Sequence, residues 1–202
     1  MLEKALKYPL EREDKIKTLL IGGALFLVSP LILPIIVLLG YMAKTIQASA
    51  KNQKPPSITN FKENLVNGAK LITVILLYLG LILVLAFVGS VAEEINETLG
   101  LISFSVLTVF YLGVLVSYPA ILKHFSKNMN INDAFKGHEI IKSVFNLQYL
   151  KVVLMLLLVS IILTLVQLLV GITIIGILAI PSLIFYELVV SAQLIGQIKQ
   201  QD

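Results

Sequence analysis

The chain has 202 residues, of which 57% are hydrophobic and 14% charged, and its mean hydropathy of +0.93 lies well outside the range of soluble domains. It contains no cysteine, which excludes disulfides, thiolate metal sites and cysteine nucleophiles, and its two histidines are too few for a histidine-rich metal centre. The formal net charge of +4 comes from residues that border apolar runs, which favours a membrane surface rather than nucleic acid as the partner. We therefore expect a polytopic membrane protein with one domain over residues 1–202 and with no metal or cofactor.

The first segment, Met1–Lys17, mixes basic and acidic residues and carries Leu2, Leu6 and Leu10 at near-helical spacing. Because it lacks an apolar core, it does not resemble a cleaved signal peptide. The pattern predicts an amphipathic segment that is retained and lies on the membrane surface.

The next run, Ile16–Ile46, is apolar for about 31 residues, or roughly 46 Å of helix, which exceeds a hydrocarbon core of about 30 Å. Pro30 and Pro34 each remove a backbone donor and interrupt the run. Two structures fit, one kinked helix or a hairpin of two short helices. The positive-inside rule favours the hairpin, because it keeps the basic residues on both sides of the run in the cytoplasm. Each arm has about 14 residues, or roughly 21 Å, so it is either re-entrant or spans with the help of snorkelling by Lys15, Lys17 and Lys44.

A polar loop and two spans follow. In the loop, Lys51–Lys70, Asn60 is the expected N-cap of a second short interfacial helix. Leu71–Val91 and Leu99–Leu122 are long enough to span a membrane. The turn between these spans contains no basic residue and three acidic ones, Glu93, Glu94 and Glu97.

The segment Lys123–Lys151 repeats this arrangement, with Asp133 as the expected N-cap of another interfacial helix. The apolar side of that helix would carry Ile140, Ile141, Val144 and Phe145. The rest of the chain consists of the span Val152–Val170, the uncharged turn Gly171–Gly176, the span Ile177–Ile198 and the basic residue Lys199.

All sixteen lysines and arginines lie in or beside the N-terminal segment, the two long loops and the C-terminus, and none lies in the three opposite turns. By the positive-inside rule, this partition places both termini in the cytoplasm. The predicted fold is an all-α, multi-pass protein of the cell membrane with six helical segments arranged as three hairpins, the first of them short or re-entrant. Amphipathic helices are expected at the interface on the cytoplasmic side.

Glu187 lies about ten residues into the last span, roughly 15 Å along the helix, so we expect it near the middle of the bilayer. An acid at that depth is costly and marks a candidate functional site. Because no Lys, Arg or His lies within a predicted span, Glu187 is expected to be protonated and hydrogen-bonded to a neighbour. Tyr111 and Ser160 lie at similar depths in their own spans and are the candidate partners.

At 100° per residue, the last span carries a narrow polar stripe that is expected to face the other helices. This stripe consists of Ser182, Tyr186, Gln193 and Gln197. Tyr186 and Gln193 are therefore further intramembrane candidates. The opposite side is expected to face lipid and carries Ile184, Leu188 and Ile195.

Two other short motifs contain residue types that are used for modification or metal binding. Asn96-Glu97-Thr98 is a glycosylation sequon in a turn that the charge pattern places outside, so Asn96 is a candidate for modification. Gly137-His138-Glu139 lacks the second histidine of a zinc helix, and His138 fits a polar surface residue better. Since the sequence contains no nucleophile elbow, phosphate loop or paired-acid site, we expect a protein that is not an enzyme.

Short motifs along the chain resemble those of one family. They are Tyr8-Pro9, Leu20-Ile21-Gly22-Gly23, Gly40-Tyr41, Pro55-Pro56, Asn67-Gly68, Phe135 with Glu139-Ile140, and Phe185-Tyr186. Together they resemble the archaeal and bacterial polytopic membrane proteins known as domain of unknown function 4013. The resemblance implies a multi-span protein and an archaeal-like source. The family has no established activity, so the resemblance assigns no catalytic residue.

Two functions fit these observations. The lysine-rich cytoplasmic face favours a non-enzymatic scaffold or accessory subunit that binds anionic lipid headgroups, a protein partner or a second copy of itself. The alternative is a small-solute or ion transporter in which Glu187 binds a proton or cation and the Pro30/Pro34 break supplies a non-helical element. A structural role for Glu187, as an interhelical hydrogen bond, is the simplest explanation of the acid.

Overall fold

The computed structural model describes residues 1–198, apart from the side chains of residues 174 and 175, so Lys199 lies outside the described residues. All regular structure in this range is helical. The α-helices are α1 Leu2–Lys7, α2 Lys15–Leu27, α3 Leu33–Ala50, α4 Phe61–Ile95, α5 Glu97–Asn128, α6 Gly137–Val144, α7 Leu147–Val170 and α8 Ile174–Gly196. Short 3₁₀ turns lie at Tyr8–Leu10, Ser29–Leu31 and Ile131–Phe135.

Five of these helices, α3, α4, α5, α7 and α8, are long and apolar enough to cross a membrane. The four predicted spans from Leu71 onward therefore correspond to helices, and the chain is a membrane protein. The shorter α2 has 13 residues, or about 20 Å, which is less than a hydrocarbon core of about 30 Å. The arrangement of six segments as three hairpins stays a prediction.

The predicted break near the prolines is present, because α2 ends at Leu27 and α3 begins at Leu33. Pro30 lies in the 3₁₀ turn and Pro34 in the first turn of α3, where the missing N–H leaves no helical hydrogen bond unmade. Ile32 between them has a φ of 57°, which a β-branched residue rarely adopts. The run is thus two helices and not one kinked helix.

The expected separate interfacial helix after Asn60 is wrong, because α4 continues from Phe61 to Ile95 for 35 residues. Asn60 does occupy the N-cap position of α4, as predicted, although its side chain makes no capping hydrogen bond. Polar side chains in the first turns of α4 make hydrogen bonds within the protein, which allows these turns to stay helical. For example, the fully buried Asn64 donates from Nδ2 to the carbonyl of Ile58 at 3.1 Å. At about 52 Å, α4 is longer than a hydrocarbon core, and its first turns extend beyond it.

The expected cap by Asp133 is also wrong. Asp133 lies in the 3₁₀ turn, where its carboxylate accepts from Asn128 Nδ2 at 2.8 Å and pairs with Lys136 Nζ at 2.9 Å. The apolar face predicted for α6 is divided, since Ile140 is buried whereas Ile141 is 57% exposed, as is Phe145 directly after the helix at 87%. One part of α6 therefore packs on the bundle and another part points away from it.

The N-terminal segment packs one face against the protein, and its position on a membrane surface stays a prediction. Ala5 and Tyr8 are buried, and the Tyr8 hydroxyl donates to the carbonyl of Gln53 at 3.0 Å. The Tyr186 hydroxyl of α8 donates to the carbonyl of Leu6. This segment thus closes one end of the helix bundle.

The α3–α4 contact depends on two glycines. A Cβ atom on Gly40 would lie 1.7 Å from the backbone oxygen of Asn64, and one on Gly68 would lie 1.7 Å from the backbone oxygen of Ile36. The two backbones therefore touch directly, as small residues allow in membrane helices. The Gly40-Tyr41 and Asn67-Gly68 motifs are explained by this packing.

Helix α8 lies at the centre of the bundle, between α2, α3 and α7. Phe185 packs on Gly22 and lies 5.4 Å from Tyr41, between ring centroids. The prediction that Ile195 faces lipid is wrong, because only 5% of it is exposed, whereas Ile184 and Leu188 are half-buried. The reason is that the last turns of α8 are surrounded by neighbouring helices on every side.

Candidate functional site

Glu187 joins α8 to α7 through two hydrogen bonds. Ser160 Oγ donates to Oε1 at 2.7 Å, and Gln167 Nε2 donates to Oε2 at 3.0 Å. Glu187 and Gln167 are half-buried and Ser160 is exposed, so the three side chains lie at the rim of the α7–α8 contact. Ser160 was expected from its depth, but Gln167 was missed. Its spacing of seven residues from Ser160, two helical turns, places both on one face of α7 and could have indicated it.

Tyr111 is not a partner of Glu187, which corrects the prediction. Its side chain is 50% exposed, and none of the described hydrogen bonds joins it to Glu187. Helix α5 as a whole packs chiefly on α4 and makes only limited contact with α8. Equal depth in a bilayer therefore did not bring the two side chains together.

The remaining polar residues of α8 connect helices. The Tyr186 hydroxyl holds the carbonyl of Leu6, and the backbone carbonyl of Gln193 accepts from Ser49 Oγ at 2.8 Å. Gln193 is buried, and its Oε1 has no hydrogen-bond partner among residues 1–198. The predicted polar stripe thus does face the bundle at these two residues, where it attaches α1 and α3 to α8.

Asn96 is the single residue between α4 and α5, and it is exposed. Its side-chain oxygen accepts from the backbone N–H of Thr98 at 2.8 Å, so Asn96 is the N-cap of α5. This capping explains the residue without modification. Glycosylation at Asn96 stays a prediction.

A larger polar feature was not anticipated from the sequence. A cavity of about 720 Å³ lies between the carboxyl ends of α3, α5 and α8 and the amino end of α7. We call it the basic cavity, because its walls carry Lys51, Lys123 and Lys127 and none of its described lining residues is acidic. Its signal in the sequence is weak, since these lysines belong to two loops that are far apart in the chain.

Two buried side chains form the inner wall of the basic cavity. Lys123 is only 7% exposed, and its Nζ donates to the carbonyl of Gly196 at the end of α8, at 2.5 Å. Ser126, one turn further along α5, is fully buried, and its hydroxyl has no hydrogen-bond partner in the described part of the chain. A charged donor and an unpaired hydroxyl therefore meet at one wall.

A second buried cluster joins α5 to α6. His124 Nε2 lies 3.1 Å from Ser143 Oγ, and His124 Nδ1 lies 3.5 Å from a carboxylate oxygen of Glu139. This order resembles a serine–histidine–acid triad, but Ser143 Oγ donates to the backbone carbonyl of Glu139 at 2.9 Å and is only 3% exposed as a residue. A hydroxyl that donates to a carbonyl does not present its proton to the histidine, so the cluster attaches α6 to α5 and is not an activated nucleophile. His138 is exposed and takes no part in it.

No group of three or more histidine or acidic side chains suited to a metal ion occurs among the described residues. None of the candidate residues above has the geometry of a catalytic site. Two features remain as candidate sites, the Glu187 cluster between α7 and α8 and the basic cavity.

Comparison with known proteins gives one match. The family described as "Protein of unknown function (DUF4013)" matches residues 23–175, more than half of the chain. The matched range includes Gly40 and Gly68, which form the α3–α4 contact, but neither Tyr8-Pro9 nor Phe185-Tyr186. No curated protein and no solved structure matches the chain. The chain therefore belongs to the DUF4013 family, which confirms the prediction from its short motifs.

Proposed function

We propose that this membrane protein is a non-enzymatic scaffold or accessory subunit that binds anionic lipid headgroups at its basic end. The basic end is the end of the bundle at which α2, α4 and α7 begin and α3, α5 and α8 finish. We place this end and the N-terminus in the cytoplasm, as the positive-inside rule favours.

The observation that carries the proposal is the separation of charge along the helices. Lys62 and Lys70 lie in the first turns of α4, whereas Glu93 and Glu94 lie in its last turns. Helix α5 runs in the opposite sense, from Glu97 to lysines in its last turns. Anionic headgroups attract such a surface by about 1 kcal/mol for each lysine near the membrane.

The exposed apolar residues of the basic end support contact with lipid. Phe145 and Leu147 follow α6 and are 87% and 77% exposed. Exposed lysines, Lys142 and Lys151, lie within a few residues of them. An apolar side chain between basic ones is the pattern of a segment that inserts at the level of the headgroups.

Lipid retained during gentle detergent extraction tests this proposal. We expect anionic lipid to be enriched relative to neutral lipid, compared with the membrane from which the protein was extracted. The double variant Lys142→Gln/Lys151→Gln should reduce this enrichment. Glu93→Gln/Glu94→Gln, which changes charge at the opposite end, is the matched control and should leave the enrichment unchanged. Equal proportions of anionic and neutral lipid in the wild type would refute the proposal.

A transport role is the second candidate, favoured by the Glu187 cluster. A carboxyl group that accepts from two neutral donors between apolar helices is a candidate carrier for a proton or cation. Flux into proteoliposomes should fall when Glu187→Gln replaces the wild type. Equal flux in both, or none in either, would remove the acid from any transport mechanism.

A further inference from the structure

We infer that the basic cavity binds the phosphate group of one anionic phospholipid, with Lys123 and Ser126 as inner ligands and Lys127 at the mouth. This inference rests on the proposed function and makes it specific. It replaces a general attraction of headgroups to a basic surface by one site with a defined set of ligands.

The charge of the cavity is the first argument. Three helices end there and one begins, and each helix terminus carries about half an elementary charge, negative at a carboxyl end and positive at an amino end. These partial charges sum to about −1, whereas Lys51, Lys123 and Lys127 supply three positive charges. The positive charge of the lysines therefore exceeds the negative charge of the helix ends. The cavity keeps a net positive charge, which attracts an anion.

The free hydrogen-bond donors are the second argument. An ammonium group has three donors, and Lys123 uses one of them on the carbonyl of Gly196. The Ser126 hydroxyl is buried without a partner among residues 1–198, which is unfavourable unless a ligand supplies one. Phosphate oxygens accept from an ammonium and a hydroxyl together, so one phosphate group can satisfy both side chains once the enclosed Ser126 hydroxyl rotates toward the cavity.

The location of the cavity favours a lipid over a soluble phosphate ester. Lys123 directly follows Leu122, where the apolar stretch of α5 ends, so the inner wall lies at the level expected for headgroups. Ile46 and Ile198 add apolar wall beside the lysines. The volume of about 720 Å³ lies within the range of ordinary small-molecule sites, roughly 300–1,000 Å³.

A structural role for Lys123 is the competing explanation. A lysine that donates to the last carbonyl of α8 caps that helix and stabilises its negative end. This role explains Lys123 alone. It explains neither the unpaired Ser126 hydroxyl nor the position of the exposed Lys127, whose backbone carbonyl is held by Gln47 Nε2 at 2.9 Å.

The test is native mass spectrometry of the purified full chain in mild detergent, titrated with phosphatidylglycerol and, separately, phosphatidylcholine. We expect one phosphatidylglycerol per wild-type chain at low lipid concentration, with phosphatidylcholine bound much more weakly. Lys123→Met should weaken retention by about tenfold or more, as expected for the loss of a charge-assisted hydrogen bond. Ser126→Ala and Lys127→Gln should each weaken it by about threefold or more.

Ser126→Ala and Lys127→Gln keep the test decisive even if Lys123→Met fails to fold. Neither loses a side-chain hydrogen bond within the described residues, so both should fold normally. Wild-type retention in both variants would overturn the inference. The surface variant Lys54→Gln is the matched control, because it removes an exposed lysine at the basic end but outside the cavity, and it should retain the single lipid.

Three further outcomes separate the inference from related ideas. If millimolar glycerol phosphate displaces the lipid, and the chain binds glycerol phosphate as tightly as phosphatidylglycerol, the ligand is a soluble phosphate ester. That result would overturn the assignment to a lipid. Anionic enrichment that is the same in wild type and all cavity variants would overturn the inference and leave the proposed function standing. No anionic enrichment in the wild type would overturn both.

Discussion

Gly40→Ala should separate α3 from α4 and lower the thermal stability of the protein. The new Cβ atom would lie 1.7 Å from the backbone oxygen of Asn64, which is 1.3 Å inside the 3.0 Å that real Cβ contacts keep. The obstacle is backbone and not a flexible side chain, so a change of rotamer does not relieve it. The two helices must move apart by roughly 1 Å, and the close packing along this contact is lost.

Overpacking of this kind costs about 3 kcal/mol when the backbone has to shift. For a chain of this length, 1 kcal/mol corresponds to about 2–4 °C in Tm, so we expect a decrease of about 6–12 °C. Gly68→Ala should have a similar effect, because its Cβ would lie 1.7 Å from the backbone oxygen of Ile36. The double variant should cost less than the sum, since a single separation accommodates both methyl groups.

Gly80→Ala is the matched control. It lies in α4, as Gly68 does, but its Cβ would meet nothing within 4 Å. Because alanine favours helix over glycine, this variant should be neutral or more stable by up to about 1 kcal/mol. The assay heats purified protein in mild detergent and measures the fraction that remains monodisperse in size-exclusion chromatography. A Tm for Gly40→Ala equal to the wild type, or an equal loss in Gly80→Ala, would refute the packing argument.

Three further predictions follow from other parts of the structure. Glu187→Leu should lower Tm by about 4–8 °C, because two interhelical hydrogen bonds of about 1 kcal/mol each are lost, while Glu187→Gln should stay within about 2 °C of the wild type. Equal losses in these variants would contradict the hydrogen-bonded cluster. Hydrogen bonds from Lys136 and Asn128 hold the pKa of Asp133 below its ordinary value of 3.8. The ionised Asp133 therefore stabilises the folded protein fully at a pH well above 3.8, and this stabilisation is lost as the pH falls below that value. The Tm difference between wild type and Asp133→Asn should therefore be larger at about pH 7 than at about pH 3, and a constant difference would refute this linkage. In a chain without cysteine, Glu94→Cys and Lys142→Cys should react with an impermeant thiol reagent from opposite sides of the membrane, and reaction from the same side would refute the proposed orientation.

The sequence was sufficient for the class of protein and for features that depend on local chemistry. A backbone in lipid has to satisfy its own hydrogen bonds, so long apolar runs can be assigned to helices directly. The interruption at Pro30 and Pro34 was predicted for the same reason, because a missing N–H acts within its own helical turn. The expected contact of Glu187 with Ser160 relied only on distance along two helices.

The sequence did not determine which side of each helix faces lipid and which side faces the protein. In a soluble protein one side of a helix is polar and the other apolar, but lipid tails are as apolar as a neighbouring helix. Ile195 therefore carried no sign that it is buried, and Tyr111 no sign that it points away from Glu187. The choice between lipid and protein for each face was made by the tertiary packing.

The features with most bearing on function also depend on that packing. Gln167 reaches Glu187 only because α7 and α8 meet along one face. Lys51, Lys123 and Lys127 come together only because α3 and α5 end at the same level. The sequence thus determined that lysines gather at one end of the bundle, through the charge pattern of its loops. The tertiary structure alone decided that some of them surround a cavity, since the contact between helix ends joins residues far apart in the chain.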